Sequence, residues 1–596
     1  MPRQNRAAPA MAERDPTCIG RVRHVLGATV TVALDPDLAG VAPIYRGRLL
    51  AIGQIGSLVR IPQGLVDLIA SVSLVGIAEL AGALAPTEAV QAGERWLQVQ
   101  LLGEIDRATH KFERGVGSYP GLDDPVHFAT AEQLTSVFPH PCETHVRFGR
   151  LAAAEEVPIC LDAAKLVVRH GALVGSTGSG KTSAVASLVQ GFLKGGWRAA
   201  NIVVIDPHGE YAQAFGPSAS VLSVLAEGDN RLRVPYWALP ATDIIRIFTG
   251  GPGGPTFSNR FAELVAKARR DFVKSAKWLS LDPTSVTADT PVPFDIRTVW
   301  HQLDYDNRET RENKGDPKTV TVQKPGDPAT LLSTQFQPYG PGGTPPHQNP
   351  LYGTYGSTPD LLRLGLLDPR LRFFQEPIGT PSGPDPLVSV MQSWLGRAKP
   401  VSVLDFSGVP AGAADLAIGV ILNLLFELSI RGKPGGQGIG RASPVLVVLE
   451  EAHRYLGTAA SALTRDSANR IAREGRKYGI GLLMVTQRPT ELPETALAQC
   501  GTIIALRLTN GQDQAAIKAA LPDAVAGLAA VLPALRTGEA IVSGEAIVLP
   551  SRALIDRPAP KPLAEDPSLV PWRQEPAVPD VAPALAEWRG TYEGKK

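Results

Sequence analysis

Eight residues, Gly175-Ser176-Thr177-Gly178-Ser179-Gly180-Lys181-Thr182, constrain this chain more than any others. They fit G-x-x-x-x-G-K-[ST], follow the apolar run Ala172-Leu173-Val174, and lead into a helix-favouring stretch from about Lys181 to Lys194. A strand, a glycine-rich loop and a helix in that order make a cradle for phosphate. The glycines let backbone N–H groups curl round an anion, and the helix N-terminus adds its positive dipole. Lys181 then reaches the β and γ phosphates of ATP, and the Thr182 hydroxyl is offered to Mg2+, with Ser183 next in the same turn. Such a loop demands an α/β fold in which a parallel sheet delivers its functional residues to one edge.

Two other segments answer that demand. The run Val445 to Leu449 is a buried-strand pattern ending in Glu450 and Glu451. Two carboxylates at the carboxyl edge of a parallel sheet suit ATP hydrolysis, one organising Mg2+ through water and the other taking a proton from the attacking water. The apolar run Ile202 to Ile205 similarly ends in Asp206-Pro207-His208-Gly209-Glu210-Tyr211.

With 596 residues, the chain exceeds what one hydrophobic core supports. From Cys18 to about Phe138, short β-type runs (CIGRVRHV, TVTVAL, LLAIGQIGSLVRIP, LIASVSLVGIAEL, WLQVQLLGEI) are broken at Asp35-Pro36-Asp37, Pro62-Gln63-Gly64 and Ala81 to Pro86, which predicts a small β-barrel. Strand and helix alternate over 150–250 and again from Val401. Between them, the stretch from Asn259 to Leu279 has helical apolar spacing with cations Lys267, Arg269, Arg270, Lys274 and Lys277, which either track a phosphate backbone or form an ordinary solvated face. Six prolines and five glycines between Pro338 and Pro359 predict a loop or linker, EAIVSG and EAIVLP read as two late strands, and a Pro-rich tail follows. The expected divisions are a flexible arm 1–15, a barrel 16–145, an ATPase core in two parts (146–255 and 401–550), a helical insertion 256–400, and a C-terminal extension 551–596.

Lys and Arg total 59 against 58 Asp and Glu, so a polyanion must be met by a local patch rather than by net charge. Four scattered cysteines, Cys18, Cys142, Cys160 and Cys500, form neither a disulfide framework nor a zinc pattern, which suits the cytoplasm. The first fifteen residues contain no apolar signal region, and no apolar run reaches the roughly 18 residues a bilayer requires, so no membrane is expected. His170, His208 and His453 have no second ligand at metal spacing and read as hydrogen-bonding residues.

Taken together, RHGALVGSTGSGKT, DPHGEY, EEAH and TQRP resemble the HerA/FtsK group of ring-forming P-loop ATPases, most closely the HerA helicases. The resemblance implies a RecA-like core, an N-terminal barrel that helps close the ring, a homohexamer around a channel, and ATP-driven, non-sequence-specific movement along duplex DNA. Lys181 and Thr182 then look like the Walker A pair, Glu450 and Glu451 like the Walker B pair, and Gln487 like the γ-phosphate sensor. Glu450 stands where many such enzymes have Asp, and either glutamate can be the base. By the same resemblance Arg476, or Arg473 one turn earlier, enters a neighbour's site as an arginine finger, and Arg169 matches an arginine near the nucleotide. HerA-like rings commonly act with a separate nuclease or an NAD-consuming effector, in DNA end processing or antiphage defence. The alternatives are a ring that mainly scaffolds such an effector, or a conjugation-type transfer ATPase.

Overall fold

The computed structural model describes residues 15–588 apart from 37, 39–43, 46–47, 50–53, 78–94, 377, 433–438, 523–524, 564–568 and 574–577. Nearly all of the expected N-terminal arm, the break at Ala81 to Pro86 and parts of the Pro-rich tail lie outside the described residues.

Six strands of a seven-stranded antiparallel sheet, β1 (Cys18–Leu26), β2 (Thr29–Leu34), β3 (Leu58–Gln63), β4 (Val66–Ile77), β5 (Arg95–Asp106) and β6 (Pro125–Phe128), lie in the order β2-β1-β6-β3-β4-β5, with the short strand Phe112–Arg114 added beside β5. Pairing of β2 with β5 closes it into a barrel. Along β5 the side chains alternate, with Leu97, Val99 and Leu101 buried and Gln98 and Gln100 partly exposed, so period-two patterning fills the barrel. The strand β6, which joins β1 to β3, is only four residues long and opens on a proline, too short for alternation to reveal it.

The core is one sheet of eleven strands. In chain order these are β7 (His145–Leu151), β8 (Ala154–Asp162), β9 (Gly171–Val174), β10 (Asn201–Asp206), β11 (Ala219–Ser223), β12 (Val401–Asp405), β13 (Val445–Leu449), β14 (Ile480–Thr486), β15 (Thr502–Ala505), β16 (Glu539–Gly544) and β17 (Ser551–Ile555). Their spatial order is β8-β7-β17-β16-β15-β9-β14-β13-β10-β12-β11. The seven from β15 to β11 are parallel, and the remaining four add antiparallel. Every residue of β13 and β14 is buried, as a sheet covered on both faces requires. Ile202 and Val204 pack with the helix Lys181–Lys194 on one face, and Val203 and Ile205 face the other layer.

That second layer holds the helix Ala411–Arg431, whose mean hydropathy reaches 1.8 over 18 residues, enough by length and composition to cross a membrane. The expectation that no run is so long overlooked it because Asp415, Asn423 and Glu427 interrupt the apolar string. Here it is a core helix, with 61% of that window buried. Asp415 accepts the Ser461 N–H (2.8 Å) and Glu427 pairs with Arg470 (2.8 Å), tying it to the helix Ala462–Tyr478.

The insertion supplies the helices Pro255–Ser275, Ile296–Arg308, Thr358–Leu367 and Pro386–Trp394. Phe261, Trp300 and Phe374 join the same buried layer as the strands, so residues 256–400 share the core's hydrophobic interior. The segment Pro338 to Pro359 is no loose linker. Asn349 is buried and donates to Asp306 O (2.8 Å) and Glu309 Oε2 (2.9 Å), and Asn307 Oδ1 accepts from Tyr355 N (3.0 Å). Side-chain amides thus fix a backbone that prolines and glycines leave without a ladder. Of the insertion's cations, Arg269 cannot track nucleic acid. It is wholly buried and donates to the carbonyls of Trp237 (2.8 Å), Leu239 (3.0 Å) and Ala288, with its guanidinium over the Phe294 ring. Lys274 pairs with Asp271 (3.1 Å), and Lys267, Arg270 and Lys277 are exposed.

One late strand also differs. EAIVSG is β16, but EAIVLP forms a loop and β17 begins at Ser551, so the sheet runs past the expected boundary at 550. Arg114 of the barrel region holds that loop by donating to Gly544 O (2.8 Å), Ile547 O and Val548 O (2.8 Å). A loop whose carbonyls face a guanidinium has no ladder to join.

Candidate nucleotide site

At the carboxyl end of β9 the chain turns through Gly175 to Gly180 into the helix Lys181–Lys194. Gly178 and Gly180 have φ of 73° and 100°, where a side chain would strain the backbone, and no side chain caps the helix. Its first N–H groups therefore face the loop unsatisfied, as an anion cradle requires. Lys181 Nζ donates to Ser176 O (3.3 Å). Burial pushes the Lys181 ammonium down, opposed by Glu451, Glu450 and Glu210. Ser179 is buried and donates to Ser176 O (2.7 Å), which stiffens the loop, and Ser183 is half-buried in the first helical turn.

The parallel register brings the other candidates to the same edge. Thr177 Oγ1 donates to Gln487 Oε1 (2.7 Å), just beyond β14. Asp206, at the end of β10 and buried, accepts the backbone N–H groups of His208 (3.2 Å), Gly209 (2.9 Å) and Tyr211 (2.9 Å). Burial pushes its carboxyl up, against those donors. The sequence reading kept only Asp206 of DPHGEY, but two neighbours touch the site directly. Thr182 Oγ1 donates to Glu210 Oε2 (2.8 Å), and the fully buried Tyr211 hydroxyl donates to Glu450 Oε1. An acid and a phenol within five residues of a strand end at the nucleotide edge were the available signal.

Glu450 and Glu451 differ in environment. Burial drives the Glu450 carboxyl up to about 8, with Tyr211 pulling down and Glu451, Glu210 and Asp206 adding repulsion. Glu451 has φ 51°, a left-handed conformation costly for a residue with a side chain. Its Oε2 is buried without a hydrogen bond. The nearest basic group, His453 Nδ1 at 3.3 Å, is engaged with Thr486 Oγ1 (3.0 Å). A carboxyl held near neutrality, an orphaned carboxylate oxygen and a hydroxyl form an all-oxygen set that fits a hard dication such as Mg2+.

The three arginines lie elsewhere. Arg169 precedes β9 and pairs with Glu545. Arg473 and Arg476 are exposed near the end of the helix Ala462–Tyr478, just before β14 begins. Since β9 and β14 are parallel in register, all three stand at the opposite edge of the sheet from Gly175 and Gln487, roughly 20 Å along seven residues of β14. None reaches the loop of its own chain, so the expected roles of Arg473 and Arg476 as a finger, and of Arg169 near a nucleotide, would have to be played at a neighbour's loop. Arg476 has no side-chain partner among the described residues. His170, at the same edge, is buried; its Nδ1 accepts the Leu482 N–H (3.0 Å), and burial pushes its pKa down to about 4.

The fold and site define a P-loop ATPase. Residues 146–336 match the family model described as "Helicase HerA, central domain", and residues 435–551 match "Helicase HerA-like C-terminal". The chain belongs to the HerA helicase family. It is 25% identical over 472 residues to the DNA double-strand break repair helicase HerA of Sulfolobus acidocaldarius, covering 79% of this chain and 80% of that one. Against the HerA of Pyrococcus furiosus the figures are 24% over 436 residues, 68% and 68%. Among solved structures, VirB4 of Thermoanaerobacter pseudethanolicus aligns with a TM-score of 0.43 at 12% identity, covering 70% of this chain and 97% of that one.

Proposed function

We propose that this chain is an ATP-dependent DNA translocase or helicase that works as a closed ring, a homohexamer, in the cytoplasm. The observation that carries the reading is the split of the catalytic set across the sheet. Lys181, Thr182, Glu210, Glu450, Glu451 and Gln487 gather at one edge, while Arg169, Arg473 and Arg476 stand at the other and need a neighbour's loop to act on. Phosphoryl transfer needs a cation as charge shifts, and a ring in which each chain presents its arginines to the next supplies it. All four cysteines are unpaired, in keeping with a reducing compartment.

In this reading the loop N–H groups and Lys181 bind the β and γ phosphates of ATP. Thr182 and Glu450 would hold Mg2+, Glu450 being ionised in that state and kept in orientation by Tyr211. Bound Mg2+ would neutralise phosphate charge. Glu451 accepts the proton of the attacking water, its buried, unbonded oxygen being free to do so, and Gln487 senses the γ phosphate through its link to Thr177. The DNA contact is to the duplex backbone, without sequence preference, and a separate nuclease or NAD-consuming effector completes the activity in end processing or antiphage defence.

DNA-stimulated ATPase, with filter binding at rising salt, tests the central claim. Binding should weaken steeply between 50 and 200 mM salt, by roughly 1,000-fold or more if six or more phosphates are held, and show little sequence preference. No DNA binding by the assembled ring would instead make it a scaffold for its effector.

A further inference from the structure

A second cation adjoins the phosphate loop in the same chain. Beyond β15 the backbone runs beside the loop and is pinned to it. Leu506 N donates to Val174 O (2.8 Å), Ser176 N to Arg507 O (2.8 Å) and Thr509 N to Ser176 Oγ (3.1 Å). Arg507, half-buried between these bonds, extends its guanidinium along the loop, with Nη2 3.5 Å from Gly178 O. At that length the contact is weak, and Arg507 forms no ion pair with a carboxylate among the described residues.

Its neighbours are differently placed. Arg536, in the turn that also abuts the loop through Gly538 N and Ser179 O (3.2 Å), is held by Glu539, with Nε to Oε1 at 2.8 Å. Lys181 faces Glu210, Glu450 and Glu451. The acidic groups at the site thus face Lys181, whereas Arg507 retains a charge that no carboxylate among the described residues answers. A guanidinium left unpaired on a rigid backbone beside an anion cradle is preorganised for the anion.

We propose that Arg507 is a nucleotide-binding residue, the second cation that each chain contributes to the phosphate chain of its own bound nucleoside triphosphate. The inference rests on the reading of Gly175 to Thr182 as the nucleotide loop. Arg507 acts on binding, so its removal raises KM for ATP and leaves kcat near that of the unmutated ring.

The test titrates mant-ATP with Mg2+ into the full-length protein and measures competition by ATP and AMP. Arg507→Ala should weaken ATP by roughly tenfold or more and AMP much less, with Arg507→Lys recovering most of the loss and the melting temperature without nucleotide unchanged. An equal loss for AMP and ATP would mean that the guanidinium packs on the base or ribose, and unchanged ATP affinity in Arg507→Ala would mean it packs on nothing that matters; either overturns the proposal. Should Arg507→Ala lower the melting temperature, Arg507→Lys decides, since a retained charge with lost affinity also overturns it. Lys181→Ala is the comparator: if it too binds mant-ATP normally, the loop reading itself fails, and if it alone loses binding, only the role of Arg507 fails.

Discussion

Glu451 combines a left-handed φ, a buried oxygen without a hydrogen bond and a position one residue past a buried strand. Strain and an unsatisfied acceptor both cost stability, and together they support the proposed role of Glu451 as the base. Glu451→Gln should therefore lower ATP turnover by roughly 100-fold or more while mant-ATP still binds; normal turnover would move the base to Glu450. Lys181→Ala should abolish hydrolysis with the melting temperature little changed, because the lysine meets carboxylates and a carbonyl rather than filling a core. His170 makes a pH prediction. Its folded pKa, about 4, lies below the ordinary 6.5, so the unfolded chain takes up the proton first as pH falls. Stability from this residue is fully present above about pH 6.5 and is lost as pH falls towards 4, on the order of 3 kcal/mol at the bottom of that range. His170→Asn keeps an acceptor near the Nδ1 position and cannot titrate, and Asn tolerates the φ of 53° found there. Melts at pH 7.5 and 5 should show a smaller acid loss for the variant than for the unmutated protein, and equal losses would contradict the argument.

At the scale of elements, the helix Ala411–Arg431 depends on one close approach. A Cβ on Gly419 would lie 2.4 Å from Thr464 Oγ1 and 3.0 Å from Thr464 Cα, and Thr464 donates to Asp415 O (2.7 Å), so the two helices cannot separate to make room. Gly419→Ala should destabilise by about 1–3 kcal/mol, read as a lower urea midpoint. Gly412, in the first turn of the same helix, has nothing within 4 Å of a built Cβ. Gly412→Ala should be neutral or stabilising by up to about 1 kcal/mol, since only backbone entropy changes. The pair separates packing from propensity within one helix.

For the whole molecule, the proposed reading that the far-edge arginines act on a neighbour's loop makes hydrolysis the property of an assembly. Arg476→Ala and Lys181→Ala should each be nearly inactive alone, and mixing them should restore some ATPase, because an intact loop in one chain then meets an intact arginine from the next. An Arg476→Ala ring that hydrolyses ATP at the unmutated rate would leave that arginine a solvated residue and make Arg473 the next candidate. No recovery despite demonstrated subunit exchange would place its effect within its own chain.

Period and punctuation in the sequence determined the element types. Short β-type runs broken by turn residues marked the barrel strands, β-rich segments marked β13 and β14, and G-x-x-x-x-G-K-T marked the loop, because each is a local rule of backbone geometry and burial. The partners Glu210 and Tyr211 were readable only as neighbours of Asp206, since their contacts to Thr182 and Glu450 join residues 28 and 239 positions apart. Tertiary structure alone decided the rest. It buried Arg269 among carbonyls, ordered the Pro- and Gly-rich segment through Asn349, and turned a membrane-length apolar helix into core. It also carried Arg169 and Arg476 to the far edge from the loop, because in a parallel sheet a residue's edge is set by which end of a strand it adjoins, and strand direction is a property of the whole sheet.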